Sequence, residues 1–409
     1  MKFATKLLHA GTAGYGEYGS TTLPICQTTA FKHDTAEEME AIFTGEKAGF
    51  VYSRVNNPTV SAFERRLAEL EEGKSAAACS SGMAAISLAV LNIVKSGDEI
   101  ISGSGIFGGT YSFFGGLYRY GIKTVYPRHS TAECFEKYIT DKTRLIFIEA
   151  IGNPKLDVPD IVQIAAFAHK YGLPLMVDST SVTPYLMQAI NYGADIVIHS
   201  TSKFINGGGN SIGGIIIDSG RFVWEREKYP LFKNFSKFGS FCYMAKLRAE
   251  QLKDYGSCMA PLNAYLTNTG LDTLAVRMDR ICDNANKLAR YLKICDKVQN
   301  VNYPGLTDHP DYETAKKQFG GRYGAILTIR VGTKEKAFSF INNLKYVFNA
   351  ANIGDSKTLV IHPASTIYAA DSDEQKVAAG IYDDLVRICV GLEDIDDIQA
   401  DFGQALNKI

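Results

Sequence analysis

Eight cysteines are scattered along the 409 residues, and no two form a Cys-x-x-Cys pair. That spacing excludes a zinc ribbon and speaks against a disulfide framework. Cys79 and Cys389 lie inside apolar runs, as small buried thiols do. The seven histidines are equally dispersed, without the intervals that metal ligation needs. Charge of one sign is missing too. Forty-three Lys and Arg offset 44 Asp and Glu, leaving a net charge of -1. With no basic stripe, neither nucleic acid nor an anionic membrane is an expected partner. The longest apolar stretch, around Ala84 to Val94, is broken by Ser87 and Asn92 and is too short to span a bilayer. Met1 to His9 lacks the apolar core of a signal peptide, so a cytoplasmic location is expected. There is no low-complexity tract and no evident internal repeat.

What is present is ordinary for a globular chain: 46% hydrophobic and 21% charged residues. The length calls for more than one core. The first fifty or so residues read as an irregular arm, interrupted by Gly11, Gly14, Gly16 and Gly19. A helix then starts at Asn57-Pro58, with Val60, Phe63, Leu67 and Leu70 on one face and Gly73 as its end. From Ala76 to Asp218 apolar runs alternate with helical patterns. The strands expected are Ala76–Ser80, Glu99–Ser102, Ile122–Tyr126, Arg144–Glu149, Pro174–Asp178, Asp195–His199 and Ile212–Asp218, about seven in all. Helices such as Asp160 to Tyr171, closed by Gly172, lie between them. This alternation defines an α/β fold with a mostly parallel sheet covered on both faces. Beyond it come a loop-rich passage from Tyr229 to Phe241 and a helical region from Tyr243 to Leu292. A smaller α+β part follows, with strands Ala325–Arg330 and Leu385–Val390, helix Lys334–Leu344, and a surface loop from Tyr303 to Gly324. The expected division is an arm at 1–56, a large domain at 57–250 and a C-terminal domain at 251–409.

The chemistry concentrates where strands end. One strand runs into Ser200-Thr201-Ser202-Lys203, and another ends in Asp178-Ser179-Thr180. Parallel sheets bind ligands beyond their carboxyl edge, and Glu149 ends a strand at that edge as well. A lysine and an aspartate delivered there, with hydroxyls beside the lysine, match the needs of pyridoxal 5′-phosphate. The amine can form an imine with the cofactor aldehyde. The carboxylate can keep the ring nitrogen protonated, and the hydroxyls can reach phosphate oxygens. Ser81-Gly82-Met83 opens the next helix, whose N-terminal N–H groups suit a phosphate; taken alone it is equally a tight turn capped by Ser81.

Other features admit plainer readings. Gly103-Ser104-Gly105-Ile106-Phe107-Gly108 matches the G-x-G-x-x-G dinucleotide fingerprint, but it follows the second strand, and the next strand ends in Pro127-Arg128 without a ribose-binding acid. The glycines from Gly207 to Gly214 lack a P-loop lysine. Tyr52-Ser53-Arg54 puts an aromatic and a cation in the arm, where an exposed loop arginine is the bland alternative. Arg387 alternates within the apolar strand Leu385–Val390 and, if buried, requires an anionic partner, for which a substrate carboxylate would serve. His199 reads as a packed, hydrogen-bonded residue.

Together these residues resemble the Cys/Met-metabolism pyridoxal-phosphate enzymes, which include cystathionine γ-synthase, cystathionine lyases, methionine γ-lyase and O-acetylhomoserine sulfhydrylase. The resemblance runs from Thr5–Gly11 through Tyr52-Ser53-Arg54, Asn57-Pro58-Thr59, Val177–Thr180 and Lys203 to Val390–Asp397. Ile353–Leu359, His362–Thr366, Asn302–Leu306 and Ser211–Gly214 look most like the O-acetylhomoserine sulfhydrylases. The resemblance implies a fold-type I enzyme, a tetramer built from dimers with active sites shared across the dimer interface. It implies Lys203 as imine lysine and catalytic base, and Asp178 on the pyridine nitrogen. Ser81, Gly82, Met83, Ser200 and Ser202 would hold the phosphate, and Tyr52 and Arg54 would reach the phosphate of the neighbouring subunit. Asn153 would lie near the phenolic oxygen, and Ser356 and Arg387, with Tyr52, would seat the amino-acid substrate.

Three departures stand out. Phe107 occupies the place of a ring-stacking tyrosine, Gly209 that of a histidine, and Ile367-Tyr368 that of a Thr-His pair. The activity implied is γ-replacement on O-acetylhomoserine by sulfide or a thiol. The alternatives are a γ-lyase giving 2-oxobutanoate, ammonia and a thiol, and a non-catalytic binding protein.

Overall fold

A computed structural model describes residues 1–11 and 19–409; Gly14 and Gly16 lie outside the described residues. The arm is less irregular than its glycines suggest. It carries helices α1 (Phe3–His9) and α2 (Ala36–Phe43), the latter capped by Thr35, whose hydroxyl accepts the Glu38 N–H. The next helix, α3 (Pro58–Glu71), starts as expected: Asn57 Oδ1 accepts from Thr59 and Val60, with proline in the first turn. It ends differently. The left-handed residue is Glu72 (φ 60°), not Gly73. Gly73 serves proximity instead, since a Cβ there would fall 2.4 Å from Ile217 Cγ2.

Seven strands form the large sheet: β1 (Ser75–Cys79), β2 (Glu99–Ser102), β3 (Lys123–Val125), β4 (Thr143–Glu149), β5 (Leu175–Asp178), β6 (Ile196–His199) and β7 (Gly214–Asp218). Their spatial order is β1-β7-β6-β5-β4-β2-β3. Only β7 runs against its neighbours; the remaining pairs are parallel. Alternate residues feed two cores. Val177 and Val197 join the cluster with α3, while Met176, Ile196 and Ile198 pack beneath helix α4 (Gly82–Leu91). Near-continuous apolar strands are the signature of a sheet buried on both faces.

A second, five-stranded sheet has the order β10-β11-β12-β9-β8, from β8 (Asn300–Asn302), β9 (Ile326–Arg330), β10 (Phe348–Asn349), β11 (Leu359–Ile361) and β12 (Leu385–Cys389). Three sequence expectations are corrected here. The stretch 303–324 is no plain surface loop: it contains the helix Tyr312–Phe319 and buries Tyr303, Leu306, Gln318 and Phe319. The passage 230–241 winds as a 3₁₀ helix kinked at Gly239. The helical region 243–292 is broken at Gly256–Ala260, where the backbone of Cys258 forms an isolated antiparallel β-bridge with that of Cys79 in β1, and it resumes at Pro261. Among the described residues no helix is long and apolar enough to cross a membrane, and all eight cysteines are free.

Candidate active site

The carboxyl edge of the large sheet opens into a cavity of about 450 Å³. Lys203, Asp178, Glu149, Ser81, Gly82, Met83, Phe107, Asn153, Ser200, Ser202 and Arg387 all line it. Register explains part of this convergence. Glu149 and Asp178 are cross-strand partners that close β4 and β5, and the turn after β6 carries Ser200 to Lys203.

Lys203 is largely buried, and burial, reinforced by the nearby Arg387 guanidinium, lowers the pKa of its amine. A lowered pKa favours the neutral, nucleophilic form. Its Nζ donates to Asn352 Oδ1 at 2.6 Å. Asp178 is buried too, and burial raises its pKa against the opposing hydrogen bonds from Thr180, whose N–H donates to Oδ1 at 2.9 Å. A carboxylate so desolvated gains from a cation set beside it.

One end of the cavity is a cradle shaped for an anion. Ser81 caps α4 by accepting the Ala84 N–H at 3.0 Å, and the first-turn N–H groups of Gly82 and Met83 have no intrahelical acceptor. A Cβ on Gly82 would stand 2.6 Å from Ser200 Cβ, so only glycine lets these two segments meet. Ser200 N–H donates to Thr180 Oγ1 at 2.8 Å, and the Ser202 hydroxyl is braced by both backbone groups of Gly213.

Arg387 is 4% exposed, and its guanidinium donates to Asn153 Oδ1 at 3.1 Å and to the Asn352 carbonyl at 3.2 Å. Both acceptors are neutral. Burial depresses its pKa, and an anion entering the cavity would supply the missing countercharge.

These features fit pyridoxal phosphate at every point: an amine for its aldehyde, an acid for its ring nitrogen, and a helix N-terminus with hydroxyls for its phosphate.

Several sequence-derived positions fall elsewhere. Ser356 does not line the cavity; its hydroxyl donates to Asp355 Oδ1 at 3.3 Å. The chain turns at Gly354 (φ 73°), so that Ala351, Asn352 and Ile353 line the cavity instead. A Cβ on Gly354 would lie 2.4 Å from Phe204 N and 2.8 Å from Lys203 C, a direct backbone-to-backbone contact. Tyr52 and Arg54 also lie outside the cavity lining. Tyr52 is exposed, Arg54 donates to the Lys253 carbonyl, and its guanidinium stands 5.6 Å from the Tyr52 ring centroid. His199 is fully buried and paired with Glu71 at 3.2 Å, a packed residue. Of the three departures, Gly209 and Ile367 line the cavity, while Tyr368 is buried with its hydroxyl donating to the Asn153 carbonyl at 3.2 Å.

Sequence reasoning missed Asn352 and Thr180. Thr180 was within reach, two residues past Asp178. Asn352 carries no local signal, because only the packing of the second sheet brings it to Lys203.

Fold and cavity together define a pyridoxal-phosphate enzyme of fold type I. The family model for Cys/Met metabolism PLP-dependent enzymes matches residues 4–407, and the chain belongs to that family. It is 40% identical to the homocysteine/cysteine synthase of Saccharomyces cerevisiae, over 100% of this chain and 98% of that protein. It is also 40% identical to the O-acetyl-L-homoserine sulfhydrylase of Leptospira meyeri, over 100% and 97%. The crystal structure of a proposed O-acetylhomoserine (thiol)-lyase of Campylobacter jejuni superposes with a TM-score of 0.94 at 32% identity, covering all of both chains; it contains a pyridoxyl-lysine phosphate.

Proposed function

We propose that the chain catalyses γ-replacement on O-acetylhomoserine, exchanging acetate for sulfide or a thiol to give homocysteine or methionine. One observation carries this reading: Lys203, Asp178 and Arg387 meet in one cavity, as covalent attachment, charge storage and carboxylate capture require. The names of the relatives give the substrate class. When bound, pyridoxal phosphate supplies an electron sink that makes the carbons beside the amino group acidic. Gly82, Met83, Ser200 and Ser202 hold its phosphate, and Asp178 holds a positive charge at its ring nitrogen. Arg387 fixes the substrate carboxylate, which orients the α-proton. Lys203 removes that proton, and its depressed pKa favours the neutral amine that the task needs. Phe107 keeps an aromatic wall and offers no hydroxyl. Acetate, a good leaving group, departs with little acid assistance, whereas a thiolate leaving from methionine needs more.

Tyr52 and Arg54 stand apart from their own chain's cavity, which suits a role at the phosphate of a neighbouring subunit in a dimer of dimers. Eight free thiols suit a reducing compartment, and we place the enzyme in the cytoplasm.

The test is direct. The purified protein is incubated with O-acetylhomoserine, with and without sulfide, and separately with methionine. Homocysteine only when both substrates are present is the expected result. Keto acid from methionine alone would overturn the reading in favour of γ-elimination.

Asn352 Oδ1 accepts from the free amine of Lys203, while the carbonyl that steadies Arg387 belongs to the backbone and survives substitution. Asn352→Ala should therefore lower kcat/KM roughly tenfold or more while leaving cofactor binding within about threefold. Steady-state kinetics beside a cofactor titration checks this; an equal loss in both would remove the assigned role.

A further inference from the structure

The Phe107 backbone is held at two points. It sits between β2 and the helix α5 (Gly108–Gly116), as an N-cap residue whose side chain makes no capping bond. Gly105, Gly108 and Gly109 flank it in sequence and let its neighbours approach closely. A Cβ on Gly109 would lie 2.7 Å from the Phe107 ring, and one on Gly108 would lie 3.2 Å from the ring of Tyr368. The Phe107 carbonyl accepts the Tyr111 N–H at 2.9 Å in the first turn of α5, and the Phe107 N–H donates to Glu149 Oε1 at 2.5 Å.

Glu149 lines the same cavity and has no part in the reaction sketched above. It closes β4 directly beside Asp178, its register partner on β5. Two carboxyls so placed cannot both ionise without cost. Facing Glu149 are Asp178 from β5, Asp157 from the loop after β4, and the Tyr368 phenol from the segment after β11. None of these is a cation.

We infer that Glu149 is a positioning residue, a neutral carboxyl group whose bond to the Phe107 N–H fixes the aromatic wall of the cavity while Asp178 alone carries the negative charge. Burial, then Asp178, raise the Glu149 pKa well above the usual carboxylate range, outweighing the Phe107 N–H, which favours the ionised form. The inference rests on the reading of this cavity as the reaction site. It adds a division of labour within a like-charged pair: one member stores charge, and the other stays uncharged and sets geometry.

Two variants of the holoenzyme separate the possibilities. Glu149→Gln keeps a neutral oxygen acceptor in place. It should retain the visible circular-dichroism band of the bound cofactor, its affinity, and the wild-type pH profile of kcat/KM. Glu149→Asp keeps an acid but draws it back by one methylene. It should change the dichroism band and weaken cofactor affinity and kcat/KM roughly three- to tenfold. In a Phe107→Leu background, where no ring is left to position, Glu149→Asp should add little. A loss in Glu149→Gln equal to that in Glu149→Asp, or a shifted pH profile, would mean that an ionised Glu149 is required and would overturn the inference. Wild-type dichroism in Glu149→Asp would overturn it as well. Dichroism and cofactor affinity do not depend on which substrate is turned over, so they stand or fall apart from the sulfhydrylase reading.

Discussion

Lys203→Ala is expected to lower turnover by about a thousandfold or more and to leave the cofactor bound without a covalent link. Two functions are lost together. The amine that attaches the cofactor is gone, and so is the base that takes the α-proton. Lys203 Nζ lies 2.6 Å from Asn352 Oδ1 inside the cavity, and no other lysine lines that cavity to replace it. The variant should still fold, because the backbone that fixes this turn survives: Gly207 N–H donates to the Lys203 carbonyl at 2.8 Å, and Lys203 N–H to the Ser200 carbonyl at 3.3 Å. Borohydride reduction followed by peptide mapping should label position 203 in the wild type and nothing in the variant. Turnover within tenfold of wild type, or label at another lysine, would withdraw the assignment.

Asp178→Asn should cost roughly a hundred- to a thousandfold in kcat, with the cofactor still attached through Lys203. Asparagine preserves shape and can still accept the Thr180 N–H that Asp178 receives at 2.9 Å. It lacks the negative charge. A protonated ring nitrogen buried at this site would then have no counter-ion, and each unit by which its pKa drops corresponds to about 1.4 kcal/mol. The check is a pair of measurements: kcat, and the absorbance of the bound cofactor against pH. A variant with kcat within threefold of wild type would show that the charge at position 178 is not needed.

Most of this architecture could be read in the chain, for physical reasons that differ by element. The strands of the large sheet are legible because burial on both faces demands unbroken apolar runs, and the seven expected segments lie within two residues of the observed ones. Helix starts are legible because Asn57, Ser81 and Asp160 each cap by a local hydrogen bond. Lys203 and Asp178 are legible because a sheet edge delivers whatever follows its strands. Arg387 was visible as a charge inside an apolar strand. What stayed hidden depends on distant contacts. Gly73 marks a meeting with Ile217, not a helix cap, and nothing in the run Glu71-Glu72-Gly73 says so. Ser356 attracted attention by its motif, while one turn at Gly354 sends it away from the cavity and brings in Asn352. The helix Tyr312–Phe319 hides behind a stretch opened by prolines and glycine, although Glu313 in its first turn, Lys316 and Lys317 in its last and Gly320 at its end mark it locally, and burial of Phe319 anchors it.

The contact at Gly354 has a consequence for how the enzyme is made. Lys203 and Asp178 emerge from the ribosome long before Asn352 and Arg387, so a nascent chain presents its amine well ahead of the residues that pack around it in the folded cavity. Until the last strand of the second sheet is synthesised and Gly354 closes on the backbone around Lys203, such a chain carries the lysine without the buried guanidinium beside it. Premature termination between Lys203 and Arg387 would leave it in that state for good.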